Sequence, residues 1–249
     1  MGRFNDLVVL LTGAASGIGK ASILRMAEEG AAVVCADIQS EAAEATAKEA
    51  RELGARAIAI GVDVSDPNSV NETVAASVAE FGRIDSLCNI AGILHFDHTH
   101  ELSLERWNQI LAVNLTGTFL MTQAALPHLL SSKGSLVNMA STAGQAGQPW
   151  SAAYSASKGG VLSFTRTIAV EYGRQGIRAN SVSPGGIQTP ITKEFKLPEG
   201  ADGTLLQRIM PLDTMRPAEV AAAVVAFLAS PESIHINGSD IRVDGGTLA

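Results

Sequence analysis

The chain has 249 residues, a net charge of −7 and a pI near 5.2. Hydrophobic residues make up 46% and charged residues 17%, which suits a soluble protein with a substantial core. The acidic balance and the lack of a basic cluster argue against a sequence-independent nucleic-acid surface.

Leu7 to Leu11 is an apolar run short enough for a buried parallel strand. Thr12 and Gly13 end it, and Gly17-Ile18-Gly19 opens a segment of good helix formers over 17–29. With Ser16 between them, the glycines form a strand-to-helix turn spaced G-x-x-x-G-x-G. Such a turn lets backbone approach a pyrophosphate seated on the helix N-terminus. A P-loop would need Gly at Ala14 and Ser or Thr at Ala21. The second strand, 31–36, ends in Asp37, placed to bind the adenosine ribose hydroxyls. Asp37 could instead cap the next helix, over 40–53, but Ser40 suits that task better.

Further strands are predicted over 56–61, 84–89, 134–139, 177–183 and 239–243. Helices are predicted over 67–81, 103–130, 151–173 and 217–229. This alternation implies a parallel sheet covered on both faces, with ligands beyond the carboxyl ends of the strands. The glycine turn, Asp37, Asp63, Asn89, Ser141 and Pro184 all fall at predicted strand ends. Cys35 and Cys88 read as small buried residues rather than a disulfide or redox pair. No apolar stretch reaches the roughly 18 residues of a membrane span, and 220–228, the longest, is too short. Residues 1–6 lack the apolar region of a signal peptide, so a cytoplasmic location is expected. Residues 190–210 break the rhythm with Pro190, Pro198, Gly200 and Gly203, and read as an insertion over the site. No linker divides 1–249, which is expected to be a single domain.

Tyr154 and Lys158 are spaced i, i+4 on a predicted helix, with Ser141 thirteen residues upstream. That spacing puts both side chains on one face. A cation beside a phenolate lowers a pKa otherwise near 10 toward the working pH. Ser141 could orient a substrate oxygen as charge develops on it. A phosphate cradle and a proton-transfer pair in one chain point to hydride transfer between a nicotinamide dinucleotide and an alcohol or ketone. His95, His98 and His100 form H-x-x-H-x-H; a polar loop beside the cleft explains them better than a metal site, and no metal is expected.

These pieces, in this order and spacing, resemble the short-chain dehydrogenase/reductase family over nearly the whole chain. The matching residues are the turn 12–19, Asp63-Val64, Asn89-Ile90-Ala91-Gly92, Asn114, Ser141, Tyr154, Lys158, Pro184-Gly185, Thr189 and the 241–246 segment. Ile90 departs from the family's usual second Asn. The resemblance implies an α/β, Rossmann-type doubly wound, mainly parallel seven-stranded sheet with helices on both faces. It implies Tyr154 as the acid/base and Lys158 as its pKa modulator and nicotinamide-ribose ligand. It gives Ser141 to the reacting oxygen and Asn114 to a water linked to Lys158. Cofactor contacts are implied for Gly13, Ser16, Gly17, Ile18, Gly19, Asp37, Ile38, Asp63, Val64, Asn89, Ala91, Gly92, Pro184, Gly185, Ile187 and Thr189. NAD is the expected cofactor, because Asp37 would repel the 2′-phosphate of NADP and no cation follows it. Lys20, one helix turn on, is the nearest candidate to offset that.

The expected substrate is a secondary alcohol or ketone. An apolar body would suit Phe195, Leu197, Leu205, Leu206, Ile209 and Met210 in the insertion. A homo-oligomer, tetramer or dimer, is expected on the helix over 151–173, where Val161, Leu162, Phe164, Ile168 and Val170 spread over more than one face. Other readings are a 3-oxoacyl-thioester (acyl carrier protein) reductase and a non-catalytic NAD-binding sensor. A serine hydrolase is disfavoured, since Ser141 lacks a G-x-S-x-G elbow.

Overall fold

The computed structural model describes residues 2–193 and 196–249; Phe195 of the insertion lies outside them. In chain order the strands are β1 (Val8–Thr12), β2 (Ala32–Asp37), β3 (Ala57–Gly61), β4 (Ser86–Asn89), β5 (Ser135–Met139), β6 (Arg178–Pro184), β7 (Ile187–Gln188), β8 (Arg216–Pro217) and β9 (Asp240–Val243). Seven of them form one sheet in the order β3-β2-β1-β4-β5-β6-β9, while β7 and β8 pair separately. Every pairing is parallel, so the expected "mainly parallel" sheet is wholly so. Strand order reverses between β1 and β4, the switch point beside which a doubly wound sheet binds its ligand.

The helices are α1 (Gly17–Glu28), α2 (Ser40–Glu52), α3 (Pro67–Phe81), α4 (Leu104–Leu111), α5 (Gly117–Ser132), α6 (Ala143–Ala146), α7 (Ala152–Tyr172), α8 (Pro190–Lys193) and α9 (Ala218–Ala229). Alternation along β1 explains the layers. Val9 and Leu11 point into one core with Ile23, Met26 and Val225 of α1 and α9. Leu10 points into the other with Val74, Met121, Leu129 and Ile168 of α3, α5 and α7. Each fully buried side chain of this size contributes about 1.5–3 kcal/mol, so the two layers pin the strand ends that carry the site.

Local signals set the boundaries. Asp66 caps α3 by accepting from the Asn68 amide, Pro67 opens the helix, and Gly82 ends it in the left-handed region at φ 77°. Ser103 caps α4 through the Arg106 amide. The helix predicted over 103–130 runs from Leu104 to Ser132, but a π turn, Ala112–Thr116, interrupts it. This 29-residue run has a mean hydropathy of 1.3 over one 18-residue window, so it is long and apolar enough to cross a membrane. Packing accounts for the composition: Ile110, Met121, Ala125 and Leu129 are buried in the protein's own core.

Candidate active site

The glycine turn closes against the loop after β4. Gly13 has φ 79°, and a Cβ there would lie 2.8 Å from the Ala91 amide nitrogen. Thr12, at the end of β1, accepts from the Ile90 amide at 3.2 Å and the Ala91 amide at 3.4 Å. The turn chemistry of the sequence did not identify this clasp, although a Thr between a strand and a glycine was its visible signal. Gly17 has φ 53°, and a Cβ on it would meet the Thr189 methyl at 3.3 Å. Thr189 therefore faces the turn from across the sheet's carboxyl edge. Ser16 is exposed and makes no side-chain cap to α1, which leaves the helix's first amides available to an anion.

Asp37 is fixed from two sides. Its Oδ2 accepts from the Ala15 amide at 3.0 Å and its Oδ1 from the Gln39 amide at 2.9 Å. The first bond ties the end of β2 to the glycine turn. The second steers the chain into α2, so Asp37 serves that helix entry too. Ser40 is the first residue of α2 and Gln39 its uncapped N-cap, which corrects the expectation that Ser40 is the cap. Ile38 is 70% exposed. Lys20 Nζ pairs with Glu49 of α2 at 2.7 Å. Asp63 accepts from the Ser65 amide at 2.9 Å and hydroxyl at 2.6 Å. Val64 is buried, within van der Waals reach of Gly117.

Ser141, Tyr154, Lys158 and Asn114 form one cluster from three elements. Tyr154 lies in the first turn of α7 and Lys158 one turn later, its Nζ 5.7 Å from the Tyr154 ring centroid. Burial pushes the phenol above its ordinary pKa, and the Ser141 hydroxyl bonded to it works the other way. Ser141 Oγ also accepts from the Ala143 amide at 3.1 Å. Lys158 is 3% exposed and donates to the Met139 carbonyl at 2.7 Å; burial pulls its pKa down to about 8. Asn114 sits in the π turn, fully buried. Its Oδ1 accepts from the Ile93 amide at 2.8 Å, and its Nδ2 donates to the Ile93 carbonyl at 2.9 Å and Ser157 Oγ at 3.1 Å. A Cβ at Gly92 would lie 3.2 Å from Asn114 Oδ1 and 3.4 Å from Lys158 Nζ. The loop after β4 thus joins the two groups.

Asn89 differs from its neighbours. Its Nδ2 donates to Asn138 at 2.9 Å and Thr122 at 3.2 Å, which holds the side chain between sheet and helix, while its buried Oδ1 has no hydrogen-bond partner among the described residues. Pro184 accepts from the Thr142 amide at 3.1 Å, Gly185 packs on Asp244, and Ile187 is buried in β7. Ile18 and Gly19 lie in the first turn of α1. His95 is exposed, His98 Nε2 donates to the Glu199 carbonyl, and the His98 and His100 rings are 5.6 Å apart. A cavity of about 630 Å³ opens at the opposite, amino ends of the strands, lined by Leu7, Gly134 and Ile177. It is remote from every predicted site residue.

A family model described as enoyl-(acyl carrier protein) reductase matches residues 13–247. The chain is 42% identical over 247 residues to 3-oxoacyl-(acyl-carrier-protein) reductase of Thermotoga maritima, covering 99% of each chain. It is 40% identical to meso-2,3-butanediol dehydrogenase of Serratia marcescens, covering 99% of this chain and 96% of that one. A crystal structure of 3-ketoacyl-(acyl-carrier-protein) reductase from Brucella melitensis complexed with NADH superposes with a TM-score of 0.90 at 32% identity. That match covers 98% of this chain and 99% of the other.

Proposed function

This chain belongs to the short-chain dehydrogenase/reductase family and is an oxidoreductase, and we propose that it moves a hydride between NAD and a secondary alcohol or ketone. The observation that carries this reading is the Ser141–Tyr154 contact beside a buried Lys158, on the edge of the sheet that holds the glycine turn. The residues suit a dinucleotide. Gly13 and Gly17 leave room for close backbone approach, the α1 amides are uncapped, and the Asp37 carboxylate is held with lone pairs to spare. The bound nicotinamide would give or take the hydride.

The chain's own residues handle the proton. In alcohol oxidation Tyr154 takes the hydroxyl proton as the substrate carbon loses hydride; in reduction it returns that proton to the carbonyl oxygen. Ser141 Oγ–H donates to the same oxygen as negative charge grows there. Lys158 is the cation that offsets the upward pull of burial on the phenol. Asn114 holds the Ile93 backbone against Ser157, and on our reading orders a water next to Lys158. Asp37 and Ile38 would flank the adenosine, with Asp63, Val64, Ala91 and Gly92 nearby. Pro184, Gly185, Ile187 and Thr189 would face the carboxamide side.

We read 1–249 as one catalytic domain, with 190–210 as a flap over the substrate. A cytoplasmic location fits the two unpaired, buried cysteines. A second reading, reduction of 3-oxoacyl thioesters, is favoured by the Thermotoga maritima relative. A panel of secondary alcohols, ketones and one 3-oxoacyl thioester, followed by absorbance of the reduced cofactor, decides between them.

The deciding variant is Tyr154→Phe. It should fold and bind cofactor but lose at least ~100-fold in turnover, the lower end for a general acid–base group. A folded Phe variant with near-normal turnover removes tyrosine from the mechanism.

A further inference from the structure

Two consecutive residues in the loop between β4 and α4 reach in different directions. The Asp97 amide donates to the Trp150 carbonyl at 2.8 Å, in the loop between α6 and α7, four residues before Tyr154. His98 Nε2 donates to the Glu199 carbonyl at 2.9 Å, in the flap. The pair is itself anchored to the entry of α4. Arg106 pairs with Asp97 Oδ1, and the His98 carbonyl accepts from the Glu101 and Leu102 amides at 2.9 and 3.0 Å.

The partners are segments that need holding. Trp150 has φ 58°, an uncommon conformation for a bulky residue that persists only when its surroundings enforce it. The flap residues Gly203–Ile209 form a 3₁₀ segment containing no buried residue, so apolar packing does little to fix it. At its base the flap is tied by β7–β8 and by the Arg216 amide to the Gly186 carbonyl at 3.1 Å. At the Glu199 end the His98 bond takes that part.

We propose that His98 is a positioning residue that holds residues 196–210 of the flap over the substrate, and that with Asp97 it clamps them and the Trp150 turn to the entry of α4. This rests on the proposed alcohol or ketone oxidoreductase activity. Under it, one of the histidines that had suggested a metal loop acts through its N–H on the shape of the substrate pocket. A net hydrogen bond of ordinary strength corresponds to a two- to tenfold change in the closed-to-open ratio.

The test uses the full chain with saturating NAD and compares the wild type with His98→Ala and His98→Gln, whose amide can reach the same carbonyl. Hydrogen exchange of residues 196–210 should speed up two- to tenfold in His98→Ala and return toward wild type in His98→Gln. For a bulky apolar secondary alcohol, KM should rise, by at most that factor. Butan-2-ol KM and NAD affinity should stay within twofold. Unchanged flap exchange in His98→Ala overturns the latch. Faster exchange with unchanged KM for the bulky alcohol overturns its role in substrate positioning. So does an equal loss of NAD affinity, which would mark general structural damage. The exchange arm needs no turnover, so a protein inactive on every alcohol and ketone would sink the activity reading separately.

Discussion

Lys158 sits where an ammonium is costly. Burial lowers its pKa to about 8 from the ordinary 10.5. Between those values the unfolded chain holds the proton and the native one does not, so this group's contribution to stability rises with pH. Below about pH 8 both states are protonated and the native state bears the full cost. Lys158→Met should therefore be more stable than wild type at pH 7, with the gap narrowing from pH 8 to 9.5. Comparing the two proteins cancels Cys35 and Cys88, whose thiols burial pushes up to about 12 in both. Chemical denaturation at several pH values checks this; a gap independent of pH would show that Lys158 is solvated in the native protein. The same variant should lose turnover, because only the Ser141 hydroxyl would then oppose the upward pull of burial on the Tyr154 phenol.

On the proposed reading, Asp37 decides the cofactor at the same scale. Two unit charges about 4 Å apart interact by about 4 kcal/mol at an effective dielectric of 20, before ions and water reduce it. Lys20, the cation expected to offset this, is paired with Glu49. NAD should be preferred over NADP by at least ~100-fold in kcat/KM, about 2.7 kcal/mol. Asp37→Ala with Ile38→Arg should narrow or reverse that preference. Comparable efficiency with NADP in the unaltered protein would mean that Asp37 serves the α2 entry and not the ribose.

Among the elements, α3 is the one whose ends are most completely specified by local chemistry. Its cap bond, Asn68 amide to Asp66 at 3.0 Å, lies away from the catalytic cluster. Asp66→Ala should cost about 1 kcal/mol and lower Tm by about 2–4 °C, with kcat and KM unchanged. A change in the KM for NAD would reach the site through Asp63, whose amide donates to Ser69 of α3 at 3.1 Å. The α4–α5 run behaves differently: its π turn places Asn114 at the site, and π turns of this kind gather at functional positions.

On the scale of the whole molecule, α7 corrects one expectation. Val161, Leu162 and Ile168 are buried in the protein's own core, so their spread around the helix does not by itself call for a partner. What remains is Val170, 84% exposed, and Phe119 of α5, exposed and edge-on to Phe164 at 6.2 Å. We expect this α5–α7 face to pair with a second copy. Light scattering at micromolar concentration should show a dimer or tetramer, and Val170→Glu should weaken it. A lone 25.8 kDa particle would rule the assembly out.

Elements with strong local signals were legible in the sequence. Apolar strand runs, the glycine turn and the Pro–Gly punctuation of α3 are set by neighbours in the chain, so β1, β2 and α3 fall within a residue of their expected bounds. The i, i+4 spacing likewise placed Tyr154 and Lys158 on one face. Resemblance to a family, not residue spacing, supplied Asn114, because a polar residue within a helical pattern carries no mark of the π turn around it. Tertiary structure alone decided the rest. β7 and β8 have two residues each, too few for a period. The Thr12 clasp, the fate of the Asn89 side chain and the His98–Glu199 bond join residues between 33 and 101 positions apart. No local pattern encodes such contacts; they arise only when the sheet brings its strand ends together.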